Sequence, residues 1–150
     1  MKTVIKIFAT ALGLGCLPKA PGTFGTLAGV GLYYLLCGLP LLHYLVFLLV
    51  FVVFSVWVAG QAQEIYGEKD PGSVVIDEVA GYMVTMTGFA WNLKYVVIGF
   101  VLFRLFDIWK PFPIRQIDRR LANGLGIVLD DVLAGVFANL CLTGWAGLAG

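Results

Sequence analysis

Between Lys19 and Glu64 the chain runs for 44 residues without an Asp, Glu, Lys or Arg. A membrane-crossing helix needs about 20 consecutive apolar residues, so this stretch alone is long enough for two spans. The rest of the chain continues the pattern: 60% of residues are hydrophobic and 13% charged, with a mean hydropathy of +0.92. An ordinary soluble domain carries roughly 25% charged residues. The expected architecture is therefore all-α, a polytopic integral membrane helical bundle of about five spans plus an N-terminal interfacial or re-entrant helix. Residues 1–150 fit a single membrane-embedded domain. A net charge of +1 argues against nucleic acid as a partner, because a phosphate-tracking surface shows clustered excess Lys and Arg. No obligate protein partner is evident.

Gly and Pro punctuation predicts helices over residues 4–15, 24–38, 42–63, 74–90, 95–110 and 127–146. The residues from Lys110 to Pro113 end a helix for a backbone reason, since each proline lacks a donor and pushes its predecessor out of the helical region. Basic residues are retained on the cytoplasmic side. If the segment from Phe24 leaves the cytoplasm, only Lys94 of the ten Lys and Arg falls outside, and all nine Asp and Glu gather near the inner face. Trp91, Trp109 and Tyr95 fall near proposed span ends, where amphipathic rings favour the interface. Cys16, Cys37 and Cys141 lack the spacing of a disulfide framework or metal site and are expected to be packing residues. The first 15 residues superficially resemble a signal peptide, but a retained interfacial helix is the expectation.

Charged groups near lipid cost several kcal/mol unless paired, hydrated or metal-bound. Two acidic pairs stand out on that ground: Asp77-Glu78, at the start of a helix opened by Pro71-Gly72-Ser73, and Asp130-Asp131, after the Gly124-Leu125-Gly126 break. Adjacent helical residues point about 100° apart, so each pair can offer one carboxylate to a shared centre and one to a neighbour. Two pairs on different helices can enclose a hard divalent cation. The plainer reading is that these carboxylates favour helix N-termini and pair with arginines. Arg104, Asp107 and Lys110 stand three apart and share a helix face. Arg115, Asp118, Arg119 and Arg120 follow, and for the last two a solvated, positive-inside loop is the simpler reading. The loop from Ala20 to Thr26 contains free backbone donors and Thr hydroxyls that suit a phosphate. Its Gly25 and Gly29 fit close helix packing about as well. There is no cysteine-phosphatase motif, no Asp-x-Asp and no Ser-His-Asp candidate, and His43 falls at the outer side. Catalysis would rest on carboxylates, a metal and basic side chains.

The segments PGTFGT at 21–26, SVVIDEVAGYMVT at 73–85, FRLFDIWKPFPIRQID at 103–118 and GLGIVLDDVLAG at 124–135 together resemble the phosphatidylglycerophosphatase A family. The resemblance implies a magnesium-dependent phosphatase of the bacterial inner membrane, with its site facing the cytoplasm. Its substrate would be a phospholipid, phosphatidylglycerophosphate, dephosphorylated to phosphatidylglycerol. On that basis Asp77, Glu78, Asp130 and Asp131 are expected to hold Mg2+. Asp107 would act as ligand, base or nucleophile, with Asp77 and Asp131 also catalytic. Arg104, Lys110 and Arg115 would bind phosphate, assisted by Thr23 and Thr26. The alternative is an ion-coupled transporter or channel subunit, since intramembrane charges also mark ion paths, although these charges lie near one interface. A phosphatidyl-alcohol transferase would show a longer aspartate array. An assembly protein would use the charges only for pairing.

Overall fold

A computed structural model describes residues 1–121 and 123–149; the side chains of Asp118, Arg119, Arg120 and Ala149 lie outside the described set. Among the described residues the chain is all-helical, without strands: α1 (Lys2–Ala9), a 3-10 turn (Leu14–Cys16), α2 (Pro21–Leu36), α3 (Leu41–Tyr66), α4 (Ile76–Thr85), α5 (Leu93–Trp109), α6 (Ile114–Arg120) and α7 (Gly124–Ala149). Helix α7 runs through the centre and packs on α3, α4, α5 and α6, while α2 lies on α4.

Two helices, Leu41–Tyr66 and Gly124–Leu148, are long and apolar enough to cross a membrane. At 16 and 17 residues, α2 and α5 reach only about 24 and 26 Å, short of a hydrocarbon core of about 30 Å. On α3, Leu42, Leu49, Val53 and Trp57 are each more than half exposed. Burying one such side chain is worth about 1.5–3 kcal/mol, so a face of them is consistent with membrane association.

Several element boundaries differ from the sequence expectation, each for a local reason. Helix α1 stops at Ala9 instead of continuing to residue 15. The Thr10 hydroxyl donates to the Lys6 carbonyl and accepts from the Gly13 N–H, and Ala11, Leu12 and Gly13 take positive φ. The Val75 N–H then donates to the Ala9 carbonyl and ties this segment to the start of α4. Helix α2 begins at Pro21, three residues early, because proline is suited to the first helical position. Helix α4 has 10 residues where a 17-residue span was expected. Gly88 turns the chain with φ 84, and the Asn139 amide donates to the Thr85 and Thr87 carbonyls at 2.8 and 2.9 Å, satisfying the frayed end. The segment after Pro113, expected to be an irregular break, forms α6, anchored by the fully buried Ile114. Cys16 and Cys141 are exposed, contrary to the packing role expected of them; all three cysteines are free thiols.

The core is layered by tyrosines whose hydroxyls find backbone partners. Tyr33 donates to the Phe89 carbonyl, Tyr44 to Met83 and Tyr82 to Val96, at 2.9, 2.7 and 3.0 Å. These bonds satisfy buried polar groups at little cost and fix α2, α3 and α5 around α4. A second apolar cluster joins Ile5 and Ala9 of α1 to Val58, Ala59 and Ala62 of α3 and to Ile127 and Val128 of α7. Helix α1 therefore lies against the C-terminal part of α3, where Lys6 sits 4.9 Å from the Tyr66 ring centre. At eight residues, about 12 Å, it does not cross the bundle.

Candidate active site

Glycines decide where the charged residues meet. A Cβ on Gly81 would stand 2.7 Å from the Asp131 carbonyl and 2.5 Å from the Phe103 ring. One on Gly135 would run into the Gly81 carbonyl and stand 3.0 Å from Val84. The backbones of α4 and α7 thus touch at Gly81 and Gly135, each one helical turn beyond an acidic residue, Asp77 and Asp131 respectively. On the other side of α4, a Cβ on Gly25 would meet Val75 at 2.7 Å and one on Gly29 would meet Tyr82 at 3.0 Å, which seats α2. The glycines of the Gly25–Gly29 pattern serve close packing, the second of the two readings open to the sequence.

This packing gathers the start of α2, the loop after α3, the start of α4, the end of α5 and the start of α7 around one cavity of about 290 Å³. Among the described residues, six acidic side chains line it, Asp70, Asp77, Glu78, Asp107, Asp130 and Asp131, opposed by Arg104 and Lys110. Asp77, Glu78 and Asp131 each offer an oxygen within 4.8 Å of the others'. Asp77 Oδ1, Glu78 Oε2 and Asp131 Oδ2 are buried and accept no hydrogen bond within the protein. A buried carboxylate oxygen without a partner costs several kcal/mol, and three facing one another add repulsion to that cost. The donor set, three hard anionic oxygens from two helices, fits a divalent cation of the magnesium kind.

The other charges are arranged around this trio. Arg104 Nη1 donates to Asp107 Oδ2 at 2.5 Å and lies 3.9 Å from Glu78 Oε1. Lys110 Nζ pairs with Asp130 Oδ2, while Asp130 Oδ1 accepts the Asp131 N–H at 3.0 Å. The acidic pair of α7 therefore splits, one carboxylate toward the centre and one toward a cation, as adjacent helical positions dictate. The pair of α4 does not split, and both of its members join the trio. Helix α7 begins at Gly124, with the Asn123 side chain accepting the Gly126 N–H, so its aspartates sit two turns in, one turn deeper than the Gly-Leu-Gly break suggests. Lys110 caps α5 in a left-handed conformation, φ 46 and ψ 63, an uncommon one for a residue with a Cβ. It reverses the chain so that the ammonium reaches Asp130.

Three expected phosphate ligands stand apart from the cavity. The Thr26 hydroxyl is fully buried and donates to the Gly22 carbonyl at 2.8 Å, and Thr23 is half-buried on α2 without lining the cavity. Arg115 lines an adjoining cleft instead. The sequence analysis did not single out Asp70, in the loop after α3, and it offered Gly22 only as part of the loop from Ala20 to Thr26. The Asp70-Pro71-Gly72 run was the only signal for the first. For the second, a Cβ would collide with Glu78 Oε1 and stand 2.8 Å from Arg104 Nη1. Gly22→Ala is expected to displace these side chains and lower kcat/KM by about 10²-fold, with the thermal midpoint little changed because the colliding groups are side-chain ends. Wild-type turnover in that variant would show that neither side chain needs its present position.

Residues 7–146 match the family model described as Phosphatidylglycerophosphatase A. The chain belongs to this family. It is 38% identical over 133 residues to phosphatidylglycerophosphatase A of Escherichia coli, covering 88% of this chain and 77% of that protein. The Haemophilus influenzae protein of the same name is 37% identical over 136 residues, 89% of this chain and 83% of that one. A Bacteroides thetaiotaomicron protein named putative phosphatidylinositol-3-phosphatase is 37% identical over 144 residues, 91% of this chain and 89% of that one. No solved structure matches the chain. The family match extends from the last turns of α1 into the last turns of α7, so the trio, both cations and the glycine contacts that seat them all lie within it.

Proposed function

We propose that this chain is a magnesium-dependent lipid phosphatase that hydrolyses the phosphate monoester of phosphatidylglycerophosphate to give phosphatidylglycerol. Residues 1–150 would form one domain in the bacterial inner membrane, crossing several times, with the cavity facing the cytoplasm. The observation that carries it is the set of three buried carboxylate oxygens without partners, in a cavity holding six acidic and two basic side chains. A phosphate dianion has no reason to enter so negative a site alone. Held by these carboxylates, a divalent cation would supply the charge that neutralises the phosphate and polarises it toward attack by water.

Asp77, Glu78 and Asp131 would hold that cation, and Asp130 would support it from its pairing with Lys110. The chain's own groups account for the remaining work. Arg104, already fixed between Glu78 and Asp107, stabilises charge developing on the non-bridging oxygens. Asp107, oriented by Arg104, accepts a proton from the water whose oxygen attacks phosphorus. The phosphorus–oxygen ester bond breaks, and the glycerol oxygen leaves with a proton from solvent or from the newly protonated carboxyl. Lys110 draws the leaving side toward the cavity rim. The apolar exposed face of α3 and the one-ended collection of charge together match a substrate with its phosphate at headgroup level and its chains in lipid. Charges along a transport path would instead be spread across the bilayer.

The Bacteroides relative's name supports a second reading, in which the monoester sits on a different polyol headgroup. The decisive experiment measures phosphate release by purified protein in detergent from phosphatidylglycerophosphate and from phosphatidylinositol 3-phosphate while Mg2+ is titrated. Release from the first lipid is expected to rise saturably with Mg2+ and to vanish in chelator. Metal-independent release would remove the cation from the mechanism, and preference for the inositol lipid would favour the second reading.

A further inference from the structure

A second cleft, of about 440 Å³, adjoins the carboxylate cavity and is lined by Trp109, Lys110, Pro111, Phe112, Arg115 and Gln116. The two spaces share one side chain, Lys110. Their charges are opposite in kind. The carboxylate cavity is strongly acidic, whereas the cleft is lined, among the described residues, by two cations, Lys110 and Arg115, and no carboxylate. Two of the residues lining the cleft are exposed aromatics: Trp109 and Phe112 are exposed by 60 and 76%. Aromatic rings so exposed beside basic groups suit the level where lipid headgroups meet acyl chains.

A glycerophospholipid whose headgroup ends in a phosphate monoester carries two phosphorus centres of unlike charge, joined by a short polyol. The terminal monoester is a dianion and needs a cation to enter an acidic cavity. The diester, nearer the chains, is a monoanion that one or two basic side chains can hold directly. Two adjoining spaces with these opposite charges, sharing one lysine as a wall, match that ligand end to end.

We infer that the Trp109–Gln116 cleft binds the phosphodiester of the lipid whose monoester is hydrolysed next door, with Arg115 as the residue that recognises it and Lys110 standing between the two phosphates. The inference rests on the functional reading above and deepens it. It makes Arg115 a determinant of substrate choice, selecting lipids with both phosphates over those with a monoester alone, and gives it no contact with the reacting atoms.

The test follows release from phosphatidylglycerophosphate in Mg2+ by wild type, Arg115→Gln and Arg115→Lys. Three competitors are added: phosphatidylglycerol, diacylglycerol with the same chains, and inorganic phosphate. Removing one charged hydrogen-bonding group is worth roughly tenfold in affinity. Arg115→Gln is expected to raise KM about that much with kcat nearly unchanged, and to weaken inhibition by phosphatidylglycerol equally. Inhibition by diacylglycerol and by inorganic phosphate stays as in wild type, since neither uses the diester contact. Arg115→Lys, which keeps the charge, retains most of the phosphatidylglycerol inhibition. A fall in kcat at unchanged KM, or equal phosphatidylglycerol inhibition in all three proteins, overturns the inference while leaving the phosphatase reading standing. Failure of the wild-type protein to release phosphate at all overturns both.

Discussion

Replacing Asp131 or Asp77 by Asn is expected to lower kcat roughly 10³-fold while leaving the metal-free protein as stable as wild type, or more so. Both side chains are buried, each contributes an oxygen without a hydrogen-bond partner, and each faces the other two members of the trio. In chelator, the wild-type protein bears the cost of crowding these carboxyls without compensation. An isosteric amide removes one charge from the crowd and donates to a neighbouring carboxyl oxygen, which relieves a lone acceptor. Stability and function are thus set against each other at this site, as is common where activity needs an otherwise unfavourable arrangement. Thermal midpoints in detergent, with and without Mg2+, give the second measurement. Wild type is expected to gain stability on adding Mg2+, because an ion that binds only the folded state shifts the equilibrium toward it, and the Asn variants are expected to lose that gain. Full turnover with an intact Mg2+ shift in both variants would remove the two aspartates from the site. A collapse in stability with normal turnover per folded molecule would mean that their role is structural.

The second large effect is expected from residues with no chemistry. Gly81→Val and Gly135→Val put side chains where the α4 and α7 backbones touch, against the Asp131 and Gly81 carbonyls respectively. Those neighbours are backbone atoms in two packed helices and cannot swing aside, unlike the side-chain ends near Gly22. Overpacking of this kind costs about 3 kcal/mol. Pushing the helices apart also moves Asp131 away from Asp77 and Glu78, so activity is expected to fall about 10²-fold even among molecules that remain folded. Midpoint and specific activity, measured together on the folded fraction, test this. Gly144→Val is the control, because a Cβ there meets nothing within 4 Å. A stable, active Gly135→Val protein would mean that the carboxyl groups converge by some route other than this backbone contact.

Much of the molecule was legible in local sequence because local physics set it. The uncharged run from residue 20 to residue 63 contains most of α2 and α3, and the Pro and Gly punctuation marked the ends of α5 and the start of α4 within a few residues. Asp77-Glu78, Asp130-Asp131 and the Arg104, Asp107, Lys110 row stood out because charges amid apolar residues are costly wherever the chain folds. The brevity of α4 was not legible, since its end is satisfied by Asn139, more than 50 residues away along the chain. Thr26 looked like a phosphate ligand in a Gly-rich loop, but once α2 starts at Pro21 its hydroxyl falls one turn after the Gly22 carbonyl and bonds there.

By itself, the sequence determined that the chain is helical and lipid-compatible, that it belongs with the phosphatidylglycerophosphatase A family, and which acidic and basic residues need partners. Only the tertiary structure decided how those partners are allotted: Glu78 joins Asp77 and Asp131, Asp130 turns to Lys110, and Arg115 faces a separate cleft. The reason lies in range. Helical periodicity and the cost of stranding a charge act over a turn or two of one helix, whereas the distance between carboxyls on α4 and α7 is set by Gly81 and Gly135, whose missing side chains matter only when the two backbones meet.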